Sequence, residues 1–108
     1  MYKRQGTTYV VTGNTSSNFE NAGWKHVAIT IIRNGNAKIY VNGVLDVTSD
    51  VSTAQGSLAN TLALGIMSRS GGGYNVNGLI DEVRIYNRAL SADEVMQHYQ
   101  QTRRNLTL

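Results

Sequence analysis

Gly78-Leu79-Ile80-Asp81-Glu82-Val83-Arg84-Ile85-Tyr86-Asn87-Arg88-Ala89-Leu90-Ser91-Ala92-Asp93-Glu94-Val95 changes period half-way along its length. Up to Tyr86 the residues alternate, with Leu79, Asp81, Val83 and Ile85 on one side and Ile80, Glu82, Arg84 and Tyr86 on the other. A period of two predicts a half-buried strand. From Leu90 onward the signals are those of a helix start. The Ser91 hydroxyl is placed to accept from the Glu94 backbone N–H, and the Glu94 carboxylate to reach back to that of Ser91. Leu90 and Val95 occupy the positions of a hydrophobic staple, and Asp93 and Glu94 suit the positive end of the helix dipole. A strand running directly into a short helix, from about Ser91 to Gln101, is the expectation. One residue breaks the pattern: Asp81 is a carboxylate on the apolar parity of its strand.

Upstream, Trp24 to Arg33 gives the strongest strand signal. Val27, Ile29 and Ile31 share one face, and Trp24, His26, Ala28, Thr30 and Ile32 the other, which suits an inner strand covered on both sides. Asn34-Gly35 and Asn42-Gly43 then flank the run Ala37-Lys38-Ile39-Tyr40-Val41. Asn-Gly favours a two-residue type I′ turn, because both turn positions need positive φ. Two such turns predict a three-stranded antiparallel meander in which Arg33 pairs with Asn36 and Val41 with Val44. That register sets Ile29, Tyr40 and Leu45 in one row and Thr30, Ile39 and Asp46 in another. Further strands are expected at Thr7–Thr12 and Thr61–Met67, with loops over 13–18, 49–60 and 68–73 and a tail from Arg103. The stripe Val95, Met96 and Tyr99 is enough to dock the helix against a sheet.

At 108 residues the chain is read as one domain, 1–108, of ordinary soluble composition, with 41% hydrophobic and 16% charged residues. No stretch has the apolar length of a membrane span, and the N-terminus has no apolar core of a signal peptide. Cysteine is absent, which excludes disulfide and thiol chemistry. The net charge is only +3, and the arginines near the C-terminus lack the interleaved aromatics of a nucleic-acid surface. Neither a nucleic-acid nor a membrane partner is therefore expected.

The closing run from Gly78 to Ser91 resembles the final motif of laminin-G-like domains of the concanavalin A-like lectin/glucanase superfamily. Trp24-Lys25-His26-Val27-Ala28 and Tyr40-Val41-Asn42-Gly43 resemble two further motifs of that family, in the same order. The resemblance spans about Trp24 to Tyr99. It implies an all-β fold, an antiparallel β-sandwich (a shortened concanavalin A-like jelly roll) with one short C-terminal helix. A full domain of this kind is roughly twice as long, because two stacked sheets must cover each other. Either the chain is part of a longer domain, or it completes its sheets as a homo-oligomer through exposed sheet edges.

The resemblance also directs the search for sites. In the family an Asp of the closing strand helps to hold a structural Ca²⁺, which makes Asp81 a candidate ligand; the alternative is a carboxylate that accepts hydrogen bonds from neighbouring N–H groups. Glucanases of the superfamily need two carboxylates on one strand face, and Asp81-Glu82 and Asp93-Glu94 are sequence neighbours that point apart. Two histidines and no Gly-x-Ser-x-Gly elbow leave triad and zinc chemistry without a basis. A non-enzymatic role is the expectation. Sugar binding needs aromatic faces and hydrogen-bonding side chains, for which Arg69, Tyr74, Asn75 and Asn77 are the candidates; Trp24 and Tyr40 match positions the family uses for packing. The expected function is a non-catalytic carbohydrate-binding or adhesion module of an extracellular or surface-displayed protein, with a polysaccharide or glycan as partner. The tail from Met96 to Arg104 also resembles the ends of such domains in bacteriophage virion proteins, so a structural virion module is the second reading and a glycoside hydrolase fragment the third.

Overall fold

The computed structural model describes residues 2–4, 7–9, 23–54, 61, 64–68 and 75–106, with backbone alone at 2–4, 7–9 and 104–106. Its strands are β1 (Tyr2–Arg4), β2 (Thr7–Tyr9), β3 (Val27–Ile31), β4 (Asn36–Val41) and β5 (Val44–Asp50), followed by helix α1 (Ala92–Leu106). β1 and β2 form an antiparallel pair, with Tyr2 opposite Tyr9. The remaining strands form the expected antiparallel meander, in the order β3-β4-β5.

The two Asn-Gly turns behave differently. Asn42 and Gly43 have φ values of 51° and 78°, as a type I′ turn requires, and Val41 pairs with Val44. Neither Asn34 nor Gly35 takes a positive φ. Instead the Gly35 N–H donates to the Ile32 carbonyl (2.9 Å) and the Ile32 N–H to the Asn36 carbonyl (3.0 Å), so the loop is one residue longer than expected. The register moves by one, to Ile29 opposite Ile39 and Ala28 opposite Tyr40. A second shift lies between Ile39 and Tyr40, where Tyr40 faces Leu45 but Ile39 faces Val47, leaving Asp46 as the extra residue of a bulge. The physical gain is sorted faces. The expected register placed Ile29 beside Tyr40 and Thr30 beside Ile39; the observed one aligns Ile29, Ile39 and Val47 on one face and Ala28, Tyr40 and Leu45 on the other.

Helix α1 lies over the second of these faces. The capping box forms as expected: the Ser91 N–H donates to Glu94 Oε2 (2.8 Å) and the Glu94 N–H to Ser91 Oγ (3.2 Å). Val95 is completely buried, and Met96 and Tyr99 are half-buried, so the expected stripe faces the sheet. Tyr40 and Thr30 are buried on the sheet side. At the far end Met96 and Tyr99 close over the Asn42-Gly43 turn, where a Cβ on Gly43 would meet Met96 Sδ at 2.8 Å and Tyr99 Cδ1 at 3.1 Å. The helix runs on to Leu106, past the expected end at Gln101, because Gln100 to Arg104 include neither glycine nor proline to stop it.

Among the described residues, the other sheet face is covered at one corner. The segment after β5 folds back, with the Val51 N–H bonded to the Gly35 carbonyl at 2.9 Å, and Val51 and Ala54 bury Ala37. Asp50 Oδ1 accepts from the Ser52 N–H (2.8 Å) and holds the bend. Beyond that corner Val27, Ile29, Ile31 and Val44 remain exposed, Ile29 by 61%. Among the described residues β3 is therefore an edge strand covered on one face, against the expectation of an inner strand covered on two.

Two expected strands are not seen among the described residues. Residues 64–68 and 79–86 make no strand pairing, and Leu64, Leu79, Val83 and Ile85 are exposed. Alternation makes a segment competent to pair, but a strand exists only when a neighbour offers its row of N–H and C=O groups. The Val76 N–H does donate to the Met67 carbonyl (2.9 Å), but no ladder of such bonds follows among the described residues. Backbone twists of φ 57° at Met67 and 55° at Glu82 interrupt the extended chain. A three-stranded sheet and one helix are thus present, and the second sheet of a sandwich is not among the described residues. Trp24 is also 53% exposed, against the packing role expected of it, whereas Tyr40 is buried as expected.

Candidate functional site

The chain between Tyr86 and Glu94 crosses in front of the helix-covered face and leaves a cleft of about 340 Å³ against the sheet. Thr30, Asn36, Lys38 and Tyr40 form the sheet wall; Arg88, Leu90, Ala92 and Glu94 form the other. β-strand alternation explains the sheet wall, since Thr30 faces Lys38 and both share the parity of Tyr40. A neighbouring cleft of about 320 Å³ is formed by Ile29 to Ile31 and Tyr86 to Ala89, and shares Thr30, Arg88 and Ala89 with the first.

One ion pair shapes this wall. Arg88 grips Glu94 with both terminal nitrogens, Nη1 to Oε2 at 2.8 Å and Nη2 to Oε1 at 2.6 Å. The same carboxylate accepts the Ser91 N–H, so one side chain caps the helix and anchors the crossing chain. The Arg88 hydrogen bonds, and then the Ser91 N–H, bring the Glu94 carboxyl down to about 2. Glu94 stays ionised and acceptor-saturated, which suits a structural latch rather than an acid catalyst.

A second polar cluster ties 82–86 to the helix. Arg84 Nη2 donates to Glu82 Oε2 (2.9 Å), and Arg84 Nη1 lies 3.2 Å from His98 Nδ1. Arginine is always a donor, so His98 Nδ1 accepts and its Nε2–H donates to the Tyr86 hydroxyl at 3.3 Å. His26, on the covered face of the sheet, packs its ring 6.0 Å from that of Tyr99. Its backbone N–H donates to Asn42 Oδ1 (3.0 Å), but its buried Nδ1 has no partner. Burial, with electrostatic contributions from His98 and Arg84 adding to it, pushes the His26 imidazole below its ordinary value.

The residues expected to hold ligands are distributed otherwise. Asn75 and Asn77 are exposed in an irregular segment away from both cleft walls, while Arg69 and Tyr74 lie outside the described residues. Asp81 is exposed instead of inward-facing, and its Oδ1 accepts the N–H of the next residue, Glu82, at 2.8 Å. Ca²⁺ needs six to eight oxygen ligands. Among the described residues no group of three acidic, histidine or cysteine side chains gathers near Asp81. Sequence reasoning missed the cleft because Thr30, Asn36 and Lys38 come together with Arg88 only through tertiary folding. The Arg88 and Glu94 spacing was the one available signal.

With this geometry in view, the comparisons with known proteins are informative. Residues 1–96 match a laminin G domain family described as the concanavalin A-like lectin/glucanases superfamily. The chain belongs to that family. No curated protein matches it. Among solved structures, an S-layer domain-containing protein from Clostridium thermocellum is similar, with 28% identity and a TM-score of 0.53. The match covers 77% of this chain and 42% of that one, so this laminin G-like chain spans less than half of its neighbour's length.

Proposed function

We propose that the chain is a non-catalytic binding module of an extracellular or surface-displayed protein, and that its ligand is a polysaccharide or glycan. The observation that carries this reading is the cleft over the sheet, where apolar Leu90 and Ala92 stand beside Thr30, Asn36 and Lys38. Sugar sites combine an apolar floor with a few convergent hydroxyl, amide and charged groups in this way. Family membership supports the class of ligand, and the S-layer domain-containing neighbour supports a surface setting. The virion reading drawn from the C-terminal tail finds no such support. Asp46 and Asp50 share parity and, against the expectation that Asp50 falls in a loop, both lie in β5, but neither lines the cleft, and the carboxylate that does is committed to Arg88; catalysis is therefore set aside in this reading.

Affinity electrophoresis through laminarin and other polysaccharides, with a glycan array, tests the proposal. Retardation by at least one glycan is expected, weakened at least tenfold by Asn36→Ala with Lys38→Ala and unchanged by Asn75→Ala with Asn77→Ala. Failure to bind any glycan would sink the reading, and loss of binding only in the second pair would move the site to the 75–77 segment.

A further inference from the structure

Residues 82–86 make no strand pairing, and among the described residues the hydrogen bonds that tie them to helix α1 all end on His98. Arg84 Nη1 lies 3.2 Å from its Nδ1 and the Tyr86 hydroxyl 3.3 Å from its Nε2, with the Tyr86 and His98 ring centroids 5.6 Å apart. This arrangement depends on one proton. A guanidinium only donates, so His98 Nδ1 must be unprotonated to receive it. Protonation turns that acceptor into a donor and sets a second positive charge within hydrogen-bond distance of the first. Glu82 is the carboxylate of this cluster, and Arg84 already holds it at 2.9 Å.

The elements around His98 do not supply another. From the sheet side comes His26, itself basic, with its ring against Tyr99 and its Nδ1 without a partner. The two imidazoles and Arg84 act on one another electrostatically, so each added charge opposes the next. On the helix, Glu94 lies one turn before His98 and is gripped by Arg88. Asp93 and Arg103, five residues to either side, lie well round the helix. We infer that His98 is a proton-operated clasp: neutral, it holds the chain at Arg84 and Tyr86 against the helix, and protonated it lets that chain go. Two anchors of one crossing chain then answer to different pH. The clasp opens where imidazole takes up its proton, between about pH 8 and 5, whereas the Arg88 and Glu94 pair persists there because Glu94 stays ionised down to about 2. Release is hinged at Arg88. Tyr86 to Ala89 wall the second cleft, so opening the clasp widens that cleft and leaves the helix cap in place.

Nuclear magnetic resonance at pH 7.5 and 5.5 tests this, through ¹⁵N relaxation of the 83–86 amides and cross-relaxation between the Tyr86 and His98 ring protons. Order parameters of about 0.85 at pH 7.5 are expected to fall below about 0.6 at pH 5.5, with the ring cross-peak lost and the far-UV circular dichroism unchanged. His98→Gln presents an amide oxygen to Arg84 and an N–H to Tyr86 at either pH, and should keep the segment ordered at both. His26→Gln should leave the release in place, which separates it from a general loss of stability. Equal order at the two pH values overturns the inference. So does release that persists in His98→Gln or disappears in His26→Gln.

Discussion

Gly43 shows how much a single position can be asked to do. It carries a positive φ of 78° for the turn and lies under Met96 and Tyr99, whose side chains a Cβ would have to displace. Gly43→Ala meets both penalties together: a left-handed backbone costs an L-residue about 1 kcal/mol and overpacking adds about 1–3 kcal/mol. We expect the melting temperature to fall by at least 8 °C; a fall below 3 °C would mean that the helix does not press on the turn. His26 makes a different prediction. Its folded imidazole is held below the unfolded value of about 6.5, so its contribution to stability is complete above that pH. As pH drops through about 6.5 the unfolded chain takes up the proton first, and stability declines until the folded form protonates too. Urea midpoints should therefore fall between pH 7.5 and 5, and His26→Gln should flatten that part of the profile. An unchanged slope in the variant would assign the effect elsewhere.

At the scale of elements, the helix is the part most fully written in the sequence. Its capping box and its stripe of Val95, Met96 and Tyr99 are local signals, and both form. Ser91→Ala removes the hydroxyl that receives the Glu94 N–H and should cost about 1 kcal/mol, read as a lower denaturant midpoint at constant slope. Glu94 adds a pH signature. With its folded value at about 2 and an ordinary value of 4.5, its stabilisation is full above 4.5 and disappears as pH falls toward 2. Arg88→Ala should shrink that acid limb while leaving the histidine limb in place. The strands were less legible. Asn42-Gly43 set its register correctly, yet the same dipeptide at Asn34-Gly35 adopted another turn, because sorting the faces of three strands outweighed the local preference. The runs at 64–68 and 79–86 have strand patterning and no strand, since pairing is a property of two segments and the pattern belongs to one.

For the molecule as a whole, family membership was readable from three short motifs, and the second layer of the fold was not. Composition and periodicity describe which faces are apolar; they carry no information about what covers them. The same limit applied to the cleft, whose walls are about fifty residues apart in sequence. Asp81 illustrates the converse, a residue whose parity suggested burial but whose strand never formed. Its exposed, locally bonded carboxylate leads to a whole-molecule prediction: melting in Ca²⁺ and in EDTA should give coincident midpoints. A midpoint raised by Ca²⁺ and restored by Asp81→Asn would instead establish a metal ligand.

The burial of the Asn42-Gly43 turn under the helix also has a consequence in time. A two-residue hairpin closes within about 1–10 μs once both strands exist, so β4 and β5 are competent to pair as soon as they leave the ribosome. The side chains that close over their turn, Met96 and Tyr99, are made roughly fifty residues later. At about 5–20 residues per second, the nascent hairpin waits about 3–10 s with both faces bare. Its order of synthesis thus makes the later-made helix the one that ends the vulnerable interval, and a chain cut short before Met96 would never leave it.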